Sequence, residues 1–319
     1  MASLRSFLLA AALPMTLVAC GDDGGTSQPT PEGTHYQFVS SEAFVPTTNT
    51  QAREYGLDLD GNKQPDNQLG MVLGTLSSMG FDVQGTIDTA VLEGSIILLV
   101  DFQTKDFTNT SAAGLKVLLG DNPMPAACTD PANPTPATCG KHLDGNGMFA
   151  IKAGSPDNAA VSGKIVNGTF NGGPGKISLQ IALGGTDAIQ LDLIGARAKA
   201  SGITETGMTS VILGGALTES DLNTKVIPAI HAQIAPLIAE DCNMLTAPPG
   251  CGCMAGSTGE TVLNLFDAGT KDCMVTVDEI KNNSLIQSLL APDVEIDGTP
   301  ALSLGIKVVT KKATFPAQD

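Results

Sequence analysis

The spacing of hydrophobic positions changes near residue 95. Before that point Leu69, Val72, Leu73, Leu76 and Met79 recur at three- and four-residue intervals, which predicts a helix over 66–79, and a second short helix is expected around 84–93. Beyond it, Ile96-Ile97-Leu98-Leu99-Val100 is an unbroken apolar run of strand length, as in a strand covered on both faces. Ile177, Leu179, Ile181 and Leu183 then alternate with Ser178, Gln180 and Ala182, while Ile189, Leu191 and Leu193 alternate with Gln190 and Asp192. Gly184-Gly185-Thr186-Asp187 between them is a hairpin signal. Further strands are expected at 114–119, 148–153, 160–166 and 209–214, with Leu302, Leu304, Ile306 and Val308 closing the chain. Asp293, Glu295 and Asp297 alternate with Val294 and Ile296, a strand with one acidic face. Glycine turns such as Asn171–Gly175 favour antiparallel connections. The pattern predicts a mainly β (α+β) fold: an antiparallel sandwich or open barrel with helices packed on it.

A helical stretch interrupts the strands at 219–240. Thr218 and Asp221 resemble a capping box, and Leu222, Val226, Ile227, Ile230, Ile234, Leu237 and Ile238 form one apolar face. Pro228 and Pro236 should kink or divide it, because proline donates no backbone hydrogen bond.

At the N-terminus, Arg5 precedes the apolar run Phe7–Leu13, which is too short to span a bilayer as a mature helix. Leu17-Val18-Ala19-Cys20 follows and resembles the lipobox of bacterial lipoproteins. The resemblance implies a signal peptide at 1–19, acylation of Cys20, and a partner membrane reached through that lipid. Residues 21–34 hold no large apolar side chain, so 20–35 reads as anchor and flexible tether and 36–319 as the globular body. Gly21, rather than Asp, after the cysteine implies outer-membrane sorting by the same resemblance. No later segment has eighteen uninterrupted apolar residues, so the lipid alone would hold the body to the cell envelope.

Charge and composition narrow the function. A net charge of −16 with no basic run in the sequence makes the body a poor nucleic-acid binder, since phosphates repel it. The absence of Trp and the presence of only two Tyr argue against a carbohydrate platform of stacked rings. Six cysteines follow Cys20: Cys128, Cys139, Cys242, Cys251, Cys253 and Cys273. In an oxidising compartment they read as three disulfides, with about fifteen conceivable pairings. Cys128 and Cys139 bracket an irregular Pro-rich stretch and are the natural local pair, leaving the other four to pair among themselves. The rival reading, metal at Cys251-Gly252-Cys253, lacks the usual zinc spacing and a histidine nearby in sequence.

The chemistry with most support is calcium. In Asp58-Leu59-Asp60-Gly61-Asn62-Lys63-Gln64-Pro65-Asp66-Asn67, oxygens of Asp58, Asp60, Asn62 and Asp66 occupy positions 1, 3, 5 and 9 of a tight loop, and the Gln64 carbonyl adds a fifth. The run resembles the calcium loops of thrombospondin type 3 repeats and EF-hand relatives. It departs from them at Lys63, where glycine is usual, and at Leu69, where a carboxylate would complete the shell; Glu54 or water would have to substitute. A second, weaker loop runs from Asp267 to Glu279, between helical stretches spanning 258–291, inside an EF-hand-like segment at 240–291. Anchored on Asp267 its twelfth position is Asp278; anchored on Glu279 its fifth is Asp272 and Cys273 replaces the turn glycine.

Other motifs carry less. Gly145–Ala150 fits a dinucleotide-binding pattern without its strand and helix, Gly175-Lys176 lacks the rest of a P-loop, and neither G-x-S-x-G nor H-E-x-x-H occurs. His231 reads as structural. The mature chain is also similar to uncharacterised bacterial surface lipoproteins with a Cys-Gly-Asp-Asp tether, an early DLDG loop and a late DxEI segment. The expectation is a calcium-stabilised, non-catalytic binding or structural protein with an envelope or extracellular partner. A metal-dependent hydrolase acting outside the cytoplasm and a carrier of an apolar ligand in a β cavity are the alternatives.

Overall fold

The computed structural model describes residues 28–78, 82–181, 188–243 and 251–317. The leader, Cys20, Met79 and the Gly184–Asp187 turn lie outside the described residues. The strands are β1 (Thr34–Phe44), β2 (Leu98–Thr104), β3 (Thr110–Met124), β4 (Gly147–Ile151), β5 (Ala160–Val166), β6 (Thr169–Ile181), β7 (Ile189–Thr204), β8 (Gly207–Thr218), β9 (Val294–Ile296) and β10 (Thr299–Thr314). Eight of them, β1-β2-β3-β5-β6-β7-β8-β10, pair antiparallel in turn, and β10 pairs back onto β1 to close a barrel. β4 lies beside the end of β3 and runs parallel to the last residues of β10, while β9 makes a hairpin with the start of β10.

The mainly β, antiparallel expectation holds, and closure comes from β1, a strand the hydrophobic pattern does not announce. Phe38, Val39 and Ser40 are all buried, so β1 is covered on both faces and shows no alternation. β1 opens at Thr34, within the stretch read as tether, and Gln28 and Glu32 already bond to the barrel through the carbonyls of Pro174 and Ala112.

Register places an apolar row inside the barrel. Phe38 faces Val100, which faces Val117; Phe102 faces Leu115, which faces Val161; and Leu179 faces Leu191. Phe102 and Phe170 meet edge to face at 5.2 Å, both wholly buried. Eight strands enclose an interior about wide enough for side chains to fill, and here aliphatic and aromatic groups fill it.

Helices cover part of the outside. α1 (Asn49–Tyr55), α2 (Gln68–Ser78) and α3 (Val83–Glu93) pack against β1, β8 and β10. α3 is capped by Asp82, whose carboxylate accepts from the Gly85 amide, and stops at Gly94 with φ +74°. After β8, α4 (Glu219–Asp221) passes through a π-helical turn at Leu222–Val226 into α5 (Ile227–Asp241). Pro228 follows closely on the π-helical turn, and Pro236 is carried inside the helix. α6 (Thr258–Phe266), α7 (Val277–Asn282) and α8 (Ser284–Leu289) follow, and α6 and α7 pack on α5. Three disulfides fasten the loops: Cys128–Cys139, Cys242–Cys253 and Cys251–Cys273. The last two interlock in sequence and tie the end of α5 to the loop between α6 and α7.

Candidate metal centre

The 58–66 loop is fixed at both ends before any ion is considered. Leu57 and Asp66 form an isolated antiparallel bridge, with the Asp66 amide donating to the Leu57 carbonyl at 3.0 Å. Leu59 is buried in a small core with Ala216, Val294, Ile296 and Ala301, which presses the loop onto β8 and the β9–β10 hairpin. Asn67 closes the far end. Its amide donates to the carbonyls of Ala52 and Gly305 and its oxygen accepts from the amides of Gly70 and Gly305, all at 2.8–3.0 Å. Loop, α1, α2 and β10 therefore share one buried side chain.

Within that frame the acidic side chains bend the backbone inward. Asp58 accepts from the amides of Gly61 (2.7 Å) and Lys63 (3.1 Å), Asp60 from that of Asn62 (3.0 Å), and Asn62 from that of Gln64 (2.6 Å). The Asp66 carboxylate accepts from the Leu59 amide at 2.7 Å. Gly61 takes φ +86° and Lys63 φ +68°. Position six thus adopts the left-handed conformation that favours glycine, although a lysine occupies it.

One carboxylate oxygen from each of Asp58, Asp60 and Asp66 lies within 4.8 Å of the other two. Calcium–oxygen bonds run about 2.3–2.6 Å, so ligands of one ion lie up to about 5 Å apart, and the three acids fit around a single cation. The donors are hard oxygens, as that ion requires. Asp60 is exposed, Asp58 half-buried and Asp66 buried. Burial pushes the Asp66 carboxyl above its ordinary range, and the charges of Asp60 and Asp293 push it further, against the pull of the Leu59 and Asp60 backbone amides. Leu69, at position twelve, points into the core, and Glu54 is exposed outside the cluster. Asp293 faces the site, but both its oxygens are engaged by the amide and hydroxyl of Ser303 at 2.7 and 2.5 Å.

The second loop has the expected helix–loop–helix order without such convergence. Asp267 is buried and accepts from the Cys273 amide through Oδ2, while its Oδ1 has no partner. Asp272 accepts from the Met274 amide, Asp278 is exposed in the first turn of α7, and Glu279 closes a capping box with Thr276. Cys273 takes φ +68°, the turn conformation of the glycine it replaces, and is held by Cys251. Among the described residues no other group of three His, Cys, Asp or Glu side chains converges as the first loop's do.

Two arrangements that sequence reading passed over bear on hydrolysis. On the outer wall, clefts of about 480 and 260 Å³ meet at Gln190 and Asp192. The Ser178 hydroxyl donates to Asp192 at 2.6 Å, and the Lys225 ammonium bonds Asp192 (3.2 Å) and Asp221 (2.7 Å). Burial pulls Lys225 down, but the hydrogen bonds and charges of Asp221 and Asp192 outweigh it and raise it above the ordinary lysine value. Burial likewise pushes Asp192 up, and Ser178, Gln190 and Lys225 together bring it below its ordinary value. A lysine kept charged and a weakly basic carboxylate leave Ser178 without a base. On β1 and β2, His35 Nδ1 contacts both oxygens of the buried Asp101 at 2.9 and 3.0 Å, with no hydroxyl or thiol among its hydrogen-bond partners. His231 donates to the Val275 carbonyl at 2.9 Å and is structural.

Comparison of the chain with protein-family models, curated proteins and solved structures finds no match.

Proposed function

We propose that the chain is a lipid-anchored bacterial envelope protein whose 58–66 loop binds calcium, with a binding or structural role rather than a catalytic one. The convergence of Asp58, Asp60 and Asp66 carries the calcium reading. Three carboxylates gathered so closely repel one another, and a divalent cation removes that repulsion. Because the loop is pinned to α1 and α2 by Asn67 and to the β9–β10 hairpin by Leu59, the ion fastens the helical layer to the barrel wall. The Leu17–Cys20 pattern supports the anchor, and three disulfides suit an oxidising compartment. Against a hydrolase stand the charged Lys225 and the lack of a base for Ser178. The side chains filling the barrel disfavour a carrier. The body's partner is an envelope or extracellular component.

An ion that binds only the folded state adds about 2.7 kcal/mol at a hundredfold excess over Kd, which for a body of this size raises the melting temperature by roughly 4–5 °C. Millimolar calcium should produce that rise, magnesium a smaller one, and chelator a fall. Asp60→Ala should abolish the response. An unchanged melting temperature in the wild-type chain overturns the calcium reading, and retention of Cys20→Ser on membranes overturns the anchor.

A further inference from the structure

We infer that the outer wall formed by β5, β6 and β7 rests on the anionic phospholipid headgroups of the membrane that holds the anchor. The inference rests on the lipoprotein reading and adds an orientation to it. No basic run is visible in the sequence because the fold assembles one from three strands. Lys164 of β5, Asn171 of β6 and Lys199 of β7 stand in direct register. Neighbouring strands lie about 4.8 Å apart, which puts the two lysines roughly 10 Å from each other across the wall. Arg197 lies two residues along β7 from Lys199, on the same face, and Lys176 follows Gly175, the partner of Ala196. Ile165 and Ala198 between these positions are buried in the barrel, whereas Lys164, Lys176 and Lys199 are exposed.

No carboxylate among the wall's described residues is free to answer this charge. Among the described residues none of the four forms an ion pair, and Arg197 Nε is buried without a hydrogen-bond partner. β5 and β6 contain no acidic residue, and the one acid of β7, Asp192, is already paired with Lys225. Helices pack on β1, β8, β10 and the start of β7, and among the described residues no helix packs extensively on β5 or β6. Val166, 47 % exposed, adds an apolar tip at the β5–β6 turn. In a chain of net charge −16 a cationic wall without ion-pair partners selects an anionic partner.

The path of the chain identifies which one. Gln28 donates to the carbonyl of Pro174 at 2.5 Å, and Pro174 lies between the arginine-flanked Gly173 and Lys176. The anchored end thus leaves the body on this wall. Cys20 lies eight residues before Gln28, a reach of at most about 28 Å when fully extended. A lipid at Cys20 therefore holds this wall close to the bilayer, where each basic side chain strengthens attachment about fivefold and salt screens it over about 10 Å.

The test uses the full acylated protein in vesicles of phosphatidylcholine alone or with one-third phosphatidylglycerol. Amine labelling is read lysine by lysine by mass spectrometry. Lys164, Lys176 and Lys199 should be protected at least fivefold in the anionic vesicles, with protection lost at 0.5 M salt, while Lys63 and Lys281 label equally in both. Lys164→Glu/Lys199→Glu, at exposed sites and checked for an unchanged melting temperature, should abolish the protection of Lys176. Equal labelling of the wall in both vesicles overturns the inference and leaves the anchor intact. The same spectra report acylation of Cys20, so a missing lipid is recognised separately.

Discussion

Two residues that depart from the calcium-loop pattern adopt the backbone the pattern requires. Lys63 and Cys273 both take φ +68°, where glycine is the unstrained choice. Lys63→Gly should therefore stabilise the protein by about 1 kcal/mol in chemical denaturation and also tighten calcium binding, because it removes a positive charge beside the carboxylates. Asp66 supplies a prediction with a definite sign. Its folded-state pKa is raised, so between the ordinary aspartate value and the raised one the folded protein holds the proton more tightly than the unfolded chain. Stability of the metal-free protein should therefore fall as pH climbs through that window, and calcium should cancel the fall. Asp66→Asn keeps an acceptor for the Leu59 amide, raises the metal-free melting temperature at neutral pH and removes the calcium response. His142 has the opposite sign. It is wholly buried beside Phe149, neither ring nitrogen makes a hydrogen bond, and burial lowers its pKa against the weaker pull of the Val91 carbonyl and Asp144. Its contribution is complete above the ordinary histidine value near 6.5 and is lost as pH falls below it, since only the unfolded chain then takes up the proton. Denaturation midpoints measured between pH 7 and pH 5 should show a slope that His142→Leu flattens.

Elements were legible in the sequence where apolar residues alternate with polar ones or run without a break. The alternation at 177–193 and the run at 96–100 mark β6, β7 and β2, and the stretch 160–166 coincides with β5. β1 carries neither signal, since Phe38-Val39 is followed by Ser40-Ser41-Glu42 although Phe38, Val39 and Ser40 are all buried, and with it went the closure of the barrel. The acidic loop was readable from spacing alone, whereas the anchor point that positions it was not. Of the contacts of Asn67 only that to Gly70 is local; Ala52 and Gly305 are brought to it by the fold. Gly305 is a glycine for a specific reason: a Cβ there would lie 2.1 Å from the Tyr55 carbonyl oxygen. Gly305→Ala should push α1 off β10 and cost about 2–3 kcal/mol, read as a lowered denaturation midpoint with an unchanged slope. A midpoint within 0.5 kcal/mol of wild type would show that α1 is not held there. The second loop was read from acids whose order survives in the structure, but capping and a disulfide claim them: Glu279 is bonded to Thr276 and Ala268, and Cys273 to Cys251.

At the scale of the whole molecule, charge that looks uniformly acidic in the sequence is sorted by the fold. Carboxylates converge on one side of β10, and Lys164, Lys176, Arg197 and Lys199 gather on β5–β7. The barrel supplies a rigid body closed on itself, the disulfides hold its outer loops, and the acidic loop is where an ion can add to its stability. Calorimetric titration of calcium into the chelator-treated, disulfide-intact protein addresses that claim most directly. The account predicts saturable binding at a site that Asp58→Ala and Asp60→Ala each eliminate and that Asp272→Ala leaves unchanged. No heat up to millimolar calcium, or binding that survives both substitutions in the first loop, would contradict it.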